Sequence, residues 1–213
     1  MRRLNVHKNQ GFTLLEILIA LAIAGIFAIL TGPNLLAWLN SNRVQQATDA
    51  IQLALEDAQR QAIRRGRSCT INFTNGTSNN NRTVYSQITA GDAGCLVATN
   101  TNAGSLSLPQ EVFMVVNNFP TLDGSKGVRF SFRGHVPGLT FTPPEDQAII
   151  VLYSAADATA DPYPNQEKKC LVIASLLGII KQGTYIDTSL TNRASLTNLD
   201  ASNCQIRLDG TQP

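Results

Sequence analysis

The chain has 213 residues, 43% of them hydrophobic, and its 17 Lys and Arg against 15 Asp and Glu give a formal net charge of +2. Three of these cations, Arg2, Arg3 and Lys8, precede the first apolar segment, so 14 basic and 15 acidic side chains remain beyond them, a net charge of −1. This near-neutral balance gives no support to a polyanion as the main partner. About 170 residues follow the apolar segment, enough for one domain with its own core.

The first predicted element is an apolar helix that begins close to the N-terminus. Residues 12–32 contain one ionisable side chain, Glu16, and about 20 apolar residues are enough to cross a bilayer core. Cations precede this segment and the next one is Arg43, so the positive-inside bias predicts a single membrane span over 12–34 with a cytoplasmic N-terminus. A carboxylate costs about 2.5–3.5 kcal/mol in hydrocarbon, which indicates a polar partner for Glu16.

An ordinary secretory signal peptide and a plain membrane anchor are the alternatives for this segment. Small-residue cleavage sites for a signal peptidase occur near residues 20–24. The early carboxylate, and the apolar residues that continue well past these sites, disfavour a signal peptide.

The junction Lys8–Glu16, which reads Lys-Asn-Gln-Gly-Phe-Thr-Leu-Leu-Glu, resembles the N-terminus of type IV pilins and of type II secretion pseudopilins. The resemblance implies a leader, residues 1–11, that a prepilin peptidase removes after Gly11 before the new Phe12 amine is methylated. It also implies that Glu16 pairs with the free α-amino group of an adjacent subunit, so that Phe12 and Glu16 carry assembly.

The same resemblance implies where the protein lies and what it contacts. Before assembly it would be a single-pass protein of the bacterial inner membrane, with its C-terminal domain in the periplasm. It would then join other pilins or pseudopilins through the N-terminal helix, with the help of an inner-membrane assembly platform. Its final location would be a pseudopilus or a pilus, and a pilus would place it on the cell surface.

Helical periodicity continues beyond the apolar segment and predicts helix from about Phe12 to Arg65. Gly66 is a natural C-terminal cap, whereas Gly32 and Pro33 are expected to kink or loosen the helix. In the second half the apolar residues recur at spacings of three and four, and the single stripe they form is expected to pack on a folded domain: Val44, Ala47, Ile51, Leu55, Ala58 and Ala62.

Short alternating runs separated by turn signals follow from Ser68 and predict a β-rich domain over 67–213. The run 69–73 is expected to form a hairpin with 83–88 around Asn75-Gly76. Further strands are predicted at 112–116, 128–132, 148–153, 170–174, 178–181 and 204–208, and loops at 89–107, 155–168 and 188–203. The predicted fold class is α+β, a long N-terminal helix (12–66) packed on a C-terminal antiparallel β-sheet domain.

All four cysteines lie after the apolar segment: Cys69, Cys95, Cys170 and Cys204. An even number in an exported domain indicates disulfides, and four cysteines allow three connectivities. Pairing of neighbours in sequence, Cys69 with Cys95 and Cys170 with Cys204, is preferred, and free buried cysteines are the alternative. No C-x-x-C spacing occurs, so no metal site is predicted.

Three further segments resemble the FimT/GspH family of minor pilins and H-type pseudopilins. They are residues 58–67, 128–134 and 171–181. DNA-binding members resemble Gly-Arg-x-Arg in the last segment, whereas Gly178–Lys181 reads Gly-Ile-Ile-Lys here. The planar guanidinium suits phosphate better than an ammonium does, so this departure weakens the carry-over of DNA binding.

The densest basic cluster lies at the end of the predicted helix. It is a candidate DNA or anion patch, to which Lys181 and Arg207 would add: Arg60, Arg64, Arg65 and Arg67. The alternative is favourable pairing of these cations with the negative end of the helix dipole, together with contacts to neighbouring subunits.

Catalysis finds no support in the sequence, which contains no G-x-S-x-G, H-E-x-x-H or phosphate-binding glycine loop. No catalytic residue, cofactor or metal is predicted. The predicted function is a minor, pilin-like structural subunit that initiates, caps or decorates a type IV pilus, whose filament would serve motility, adhesion and DNA uptake. An H-type minor pseudopilin of a type II secretion system and a DNA-binding minor pilin for natural transformation are the alternatives, because the same helix serves every such filament.

Overall fold

The computed structural model describes residues 12–79, 82–97, 104–139, 147–160, 162–163, 166–186 and 199–206, with the backbone alone at 28–34, 79 and 82. The predicted leader, including Gly11, and Arg207 lie outside these residues. The chain divides into two compact units, Met1–Leu39 (unit 1) and Asn40–Pro213 (unit 2). One helix, α1 (Leu14–Arg65), contributes to both units, which confirms the long helix predicted from the sequence.

Unit 1 exposes its apolar side chains along the described part of α1. Leu14 is 80% exposed, Leu21 67% and Trp38 60%. Among the helical residues that the structure describes, no stretch is both long enough and apolar enough to cross a membrane. The span expected over 12–34 stays a prediction, as does the kink at Gly32 and Pro33.

The end of α1 is set by glycine. Gly66 adopts a φ of +62°, and its N–H donates to the carbonyl of Ile63 at 3.3 Å while the N–H of Arg67 donates to that of Ala62 at 3.2 Å. These two bonds form a Schellman motif, which satisfies carbonyls that have no partner inside the helix. The predicted helix stop is therefore confirmed.

Twelve strands occur in the described part of unit 2. They are β1 (Cys69–Thr74), β2 (Thr77–Asn79), β3 (Arg82–Tyr85), β4 (Gln87–Ala90), β5 (Ser105–Ser107), β6 (Val112–Asn117), β7 (Thr121–Leu122), β8 (Ser125–Phe130), β9 (Ala148–Ser154), β10 (Lys168–Ile173), β11 (Ile180–Tyr185) and β12 (Cys204–Ile206). A short 3-10 helix, Ala201–Asn203, precedes β12.

These strands form two antiparallel sheets. The five-stranded sheet has the order β5-β4-β1-β8-β7, and the seven-stranded sheet has the order β12-β11-β10-β9-β6-β3-β2. Within both sheets, every pair of neighbouring strands is antiparallel. The predicted α+β class is therefore confirmed, with two sheets rather than one.

The core of unit 2 lies between the second half of α1 and both sheets. The six predicted stripe residues, Val44 to Ala62, are each at most 2% exposed. They cluster with Phe73 and Phe130 of the five-stranded sheet and with Ile150 and Leu152 of the seven-stranded sheet. The predicted packing of the helix stripe on a folded domain is confirmed, because both sheets turn apolar side chains toward it.

Strand β9 is buried on both faces. Its even-numbered residues Ile150 and Leu152 join the helix-side core, whereas Ile149, Val151 and Tyr153 join a second cluster that includes Leu199 and Ala201. Because alternate side chains point to opposite faces, a strand covered on both sides reads as a continuous apolar run.

The hairpin predicted between 69–73 and 83–88 is only partly right, because this second run is shared between the sheets and only its end, with Ile88 opposite Phe73, pairs with the first run. Strand β3 pairs with β2 and β6 in the seven-stranded sheet, while β4 pairs with β1, with Gln87 opposite Thr74. The chain changes sheet at Ser86. A period of two is common to both strands, so alternation alone did not indicate the change.

The loop predicted over 89–107 is also partly wrong. Strand β4 extends to Ala90 and pairs with β5 at Ser105–Ser107, although the intervening 98–103 lie outside the described residues. The Ser-, Thr- and Gly-rich composition of this stretch favoured a loop over a strand.

Two predicted strands are displaced by turns. The strand expected at 128–132 occupies 125–130, because the N–H of Gly134 donates to the carbonyl of Ser131 at 2.8 Å. The strand expected at 178–181 begins at Ile180, after a turn in which the N–H of Gly178 donates to the carbonyl of Ser175 at 2.9 Å.

Candidate functional site

The first turn of α1 holds the predicted assembly residue Glu16. Its backbone N–H donates to Thr13 Oγ1 at 3.3 Å and to the Thr13 carbonyl at 3.1 Å. Thr13 therefore caps the helix, and Thr-x-x-Glu is the spacing of a capping box. The Glu16 carboxylate is exposed and forms no ion pair with any residue in the described ranges. It lies at the positive end of the helix dipole and is available to a cation outside the chain.

The surroundings of Glu16 are apolar and open. Phe12 is 78% exposed and Leu15 69%. A partner that covers these side chains would also exclude water from the carboxylate, which strengthens its attraction to a cation. The other predicted processing residue, Gly11, lies outside the described residues.

The four cysteines form two buried disulfides. Cys69 bonds Cys95 across 26 residues with a Cα–Cα distance of 5.5 Å, and Cys170 bonds Cys204 across 34 residues with a Cα–Cα distance of 5.9 Å. The first joins the start of β1 to the segment after β4, and the second joins β10 to β12. This connectivity agrees with the one preferred from the sequence.

Arg65, a member of the predicted basic cluster, is engaged within unit 2. Its Nη1 donates to the carbonyl of Ala93 at 2.9 Å, and a Cβ built on Gly94 would lie 2.2 Å from the same nitrogen. Gly94 also has a φ of +77°, which disfavours other residues. Arg65 therefore links the end of α1 to the segment around Ala93, which is adjacent to the first disulfide.

Four of the five cations of the candidate patch border three separate depressions. Arg65 and Arg67 line one of about 810 Å³, beside Asp92. Arg60 lines another of about 430 Å³, next to the turn before β11. Lys181 lines a third of about 480 Å³, which it shares with Lys169. Arg64 is exposed and borders none of these three.

Gln59 forms a junction between distant segments of the chain, which was not predicted from the sequence. Its Nε2 donates to the carbonyl of Gly134 and to that of Leu177, each at 2.8 Å. Gly178 has a φ of +70°, and a Cβ there would lie 2.8 Å from the same Nε2. Gln59 thus joins α1 to the turns that precede β11 and follow β8.

A signal for this junction was present in the sequence. The three segments that resemble the FimT/GspH family, 58–67, 128–134 and 171–181, are the ones that meet around Gln59. A half-buried amide that donates to two turn carbonyls links segments far apart in sequence.

One comparison with known proteins supports the prediction made for the N-terminus. The family model described as the prokaryotic N-terminal methylation motif matches residues 6–32. Two crystal structures of the type IV minor pilin FimU of Pseudomonas aeruginosa, in space groups P65 and P21, are similar to this chain with TM-scores of 0.41 and 0.42. Both are 13% identical to it and cover 65% and 66% of it, and 90% and 87% of their own lengths. No curated protein sequence matches the chain.

The chain is therefore type IV pilin-like at its N-terminus, and it has the α+β architecture that this resemblance predicts. The motif implies a protein that is first anchored in a membrane and is then incorporated into a filament.

Proposed function

We propose that this chain is a minor, pilin-like structural subunit of a type IV pilus. A prepilin peptidase cuts it after Gly11 and methylates Phe12, and an inner-membrane assembly platform then moves it from the membrane into the filament. The observation that carries the proposal is the methylation motif at 6–32, which continues into a helix with exposed apolar side chains. On this proposal residues 12–66 are the pilin helix and 67–213 form the periplasmic domain.

The exposure of unit 1 supports assembly through the helix. Burying a Leu, Ile or Phe side chain is favourable by about 1.5–3 kcal/mol, and unit 1 leaves Phe12, Leu14 and Leu21 more than 60% exposed. A bilayer before assembly, and the helices of neighbouring subunits after it, would supply the missing burial. This role requires no catalytic residue.

Glu16 supplies specificity in this scheme. Cleavage after Gly11 makes Phe12 the first residue, and a Glu16 carboxylate would pair with the α-amino group of the adjacent subunit. Charge-assisted hydrogen bonds are about twice as strong as neutral ones. The competing role is the capping box with Thr13, which concerns this helix alone.

Two substitutions separate these roles. Glu16→Gln keeps a side chain that a capping box accepts but removes the charge, and Glu16→Ala removes both. In a strain lacking the chromosomal copy, we expect either variant to lower the amount of this protein in sheared filaments by about tenfold or more. Glu56→Gln, which changes a carboxylate in unit 2, is the matched control. Normal incorporation of Glu16→Gln would exclude the charge pairing.

Intact mass of the mature protein tests the processing step. A chain that begins at Phe12 and carries one additional methyl group is expected. A mass matching residues 1–213, or a start near residues 23–25, would contradict prepilin processing.

The type II secretion alternative has its own outcome. We expect a strain lacking this protein to lose sheared surface filaments and to regain them with the wild-type gene. Normal filaments together with failure to secrete a cargo would instead identify an H-type pseudopilin. Normal filaments with lost transformation, and salt-sensitive DNA binding by the full chain, would identify the DNA-binding minor pilin.

A further inference from the structure

Two turns next to Gln59 have the same construction. In the first turn the N–H of Gly134 donates to the carbonyl of Ser131 at 2.8 Å. In the second turn the N–H of Gly178 donates to the carbonyl of Ser175 at 2.9 Å. The two glycines have positive φ values, +78° and +70°. Both are four-residue β-turns with glycine at the last position, so two central residues lie at the tip of each.

The central positions of both turns hold large, exposed side chains. Small and polar residues dominate turns because they suit the backbone conformation there. Three of the four central residues here are apolar, and each is between 51% and 59% exposed: Phe132, Leu176 and Leu177. The fourth is Arg133. Side chains this exposed contribute little to the core of unit 2, so packing within the unit does not account for them.

Two further apolar side chains extend this surface. Ile63 on the last turn of α1 is 52% exposed, and Ile179, directly before β11, is 50% exposed. A Cβ built on Gly134 would lie 3.0 Å from Ile63 Cδ1, so the helix end adjoins the first turn. We call the five apolar residues the junction patch: Ile63, Phe132, Leu176, Leu177 and Ile179. An exposed apolar cluster of this kind marks a protein or membrane interaction site.

Hydrogen bonds hold the junction patch in place. Gln59 Nε2 donates to the carbonyls of Gly134 and Leu177, each at 2.8 Å. The N–H of Val136, just after the first turn, donates to the carbonyl of Leu176 in the second turn at 3.0 Å. The two turns are therefore held against each other and against α1, so binding would require little ordering of the patch.

Arginines surround the apolar centre. Arg60 and Arg64 are exposed on the last turns of α1, and the exposed Arg133 guanidinium lies 5.3 Å from the centroid of the Phe132 ring. The ion pairs within the described residues involve other cations, so these three guanidinium groups have no carboxylate partner there.

The charge around the junction patch is positive overall. Arg60 borders a depression of about 430 Å³ together with Leu177 and Ile179, and the carboxylate on its lining is that of Glu56. Glu56 accepts a hydrogen bond from Gln52 at 2.9 Å. Three arginines against this one glutamate leave a net charge of +2, so a complementary partner is anionic.

Apolar tips beside guanidinium groups match the surface of an anionic bilayer. Apolar side chains enter the boundary between headgroups and acyl chains, while nearby cations are attracted to anionic lipids. The guanidinium group suits phosphate in particular, because its planar fork donates two parallel hydrogen bonds. A bilayer surface thus supplies both the apolar and the anionic component that the patch requires.

We propose that the junction patch binds a bilayer surface rich in phosphatidylglycerol, whose phosphate headgroup is negatively charged. Leu177 and Ile179 would enter the headgroup boundary. Arg60 and Arg64 would bind the phosphates. This binding is a property of unit 2 and goes beyond the proposed function. The choice of a bacterial membrane as the surface rests on the periplasmic location proposed for this unit.

The full-length chain in phosphatidylcholine nanodiscs, which cover the apolar side chains of unit 1, tests the binding. The discs are mixed with sucrose-loaded vesicles of phosphatidylcholine, alone or with an equal part of phosphatidylglycerol, and the vesicles are sedimented. We expect the chain to sediment with the phosphatidylglycerol vesicles and to be released as the salt concentration rises. Empty discs give the background. Equal retention by both kinds of vesicle, or none by the anionic ones, would overturn the proposal.

A matched pair of substitutions assigns the binding to the patch. Ile179 precedes β11 and Ile186 follows it, each 50% exposed, and about 23 Å of strand separates them. Ile179→Asp should weaken the apparent affinity for anionic vesicles by about tenfold or more, and Ile186→Asp should leave it unchanged. Leu177→Asp repeats the test on the second turn. Undiminished binding by Ile179→Asp and Leu177→Asp, at an unchanged Tm, would contradict the assignment.

Charge reversal tests the arginines. Arg64→Glu should weaken the apparent affinity by about fivefold or more, because a cation at an anionic surface contributes about that factor. Lys126→Glu makes the same change in net charge at the end of β8 away from the first turn, and is expected to have little effect. Equal losses would indicate a response to net charge alone and would overturn the patch as the site.

A photoreactive amino acid at position 177 distinguishes a lipid from a protein partner in the cell. A phospholipid adduct would support the proposal. A protein adduct, on a chain that anionic vesicles do not retain, would identify a protein contact and overturn it. Failure of the proposed function gives a different result: a chain that binds anionic vesicles but never enters filaments would refute the filament role and leave the lipid contact intact.

Discussion

Unit 1 and unit 2 share one helix, but its apolar side chains have opposite environments in the two. Leu21 in unit 1 is 67% exposed, whereas Leu55 in unit 2 is fully buried against two sheets. The difference follows from patterning, because a helix that is apolar all round needs cover on every side, and one with a single stripe needs it on one. Unit 2 covers the apolar stripe of its part of the helix with its own sheets, whereas the described part of unit 1 leaves its apolar side chains exposed.

The substitution with the largest expected effect tests this difference between the two units directly. Leu55→Ala should lower the free energy of unfolding of unit 2 by about 2–5 kcal/mol, through lost burial and the cavity left behind. Leu21→Ala should change it by no more than about 0.5 kcal/mol. Denaturant unfolding of the detergent-solubilised full chain, followed by circular dichroism, measures both. Equal losses for the two variants would contradict the assignment of stability to unit 2.

Removing a disulfide tests the cross-links that only unit 2 contains. Cys170→Ala with Cys204→Ala should lower the unfolding free energy by about 2–4 kcal/mol, because the unfolded chain regains the freedom of a 34-residue loop. Cys69→Ala with Cys95→Ala opens a shorter loop of 26 residues and should cost slightly less. Thermal unfolding of the wild type and of the two double variants ranks the two disulfides by their contribution to stability. An unchanged Tm in both double variants would argue against a structural role for the disulfides.

Loss of the Gln59 junction is expected to have a smaller effect. Gln59→Leu removes the donor to two turn carbonyls and should cost about 1–3 kcal/mol. Gln61→Leu is the matched control, two positions further along the same helix and outside the junction. Chemical denaturation distinguishes them, and a similar loss in both would indicate a general effect of leucine on α1.

The smallest effect concerns alkaline stability. Burial raises the pKa of Tyr85 above its ordinary 10.0, against a smaller lowering by its hydrogen bond with Thr83. Above about pH 10 the unfolded tyrosine loses its proton while the folded one keeps it, so the unfolding free energy falls as pH rises toward the folded pKa. Tyr85→Phe should make this fall shallower, and Tyr163→Phe, outside the buried core, is the control. Identical pH profiles for wild type and Tyr85→Phe would contradict the shift.

Much of the architecture was predictable because it depends on local patterns. Spacings of three and four identified the stripe from Val44 to Ala62, and Gly66 identified the end of α1. The strands β6, β9 and β10 begin and end within two residues of the predicted runs. Signals of this kind lie within a few residues of one another, so they survive in any tertiary context.

The errors arose where the chain chooses between partners. The run 83–88 alternates like one strand but changes sheet at Ser86, and β5 has the composition of a loop but pairs with β4. Pairing depends on which strands meet across the fold, and composition carries little of that information.

The features of the candidate sites also divide into those that local sequence predicts and those that depend on tertiary packing. The junction Lys8–Glu16 and the apolar run after it identify the N-terminal methylation motif, because a motif of this kind consists of contiguous residues. The tertiary structure decided that Arg65 braces the segment at Ala93, that Arg60 and Lys181 border different depressions, and that Gln59 joins two turns. Those side chains are brought to their partners by packing between distant segments, a consequence of the whole core rather than of any local sequence pattern.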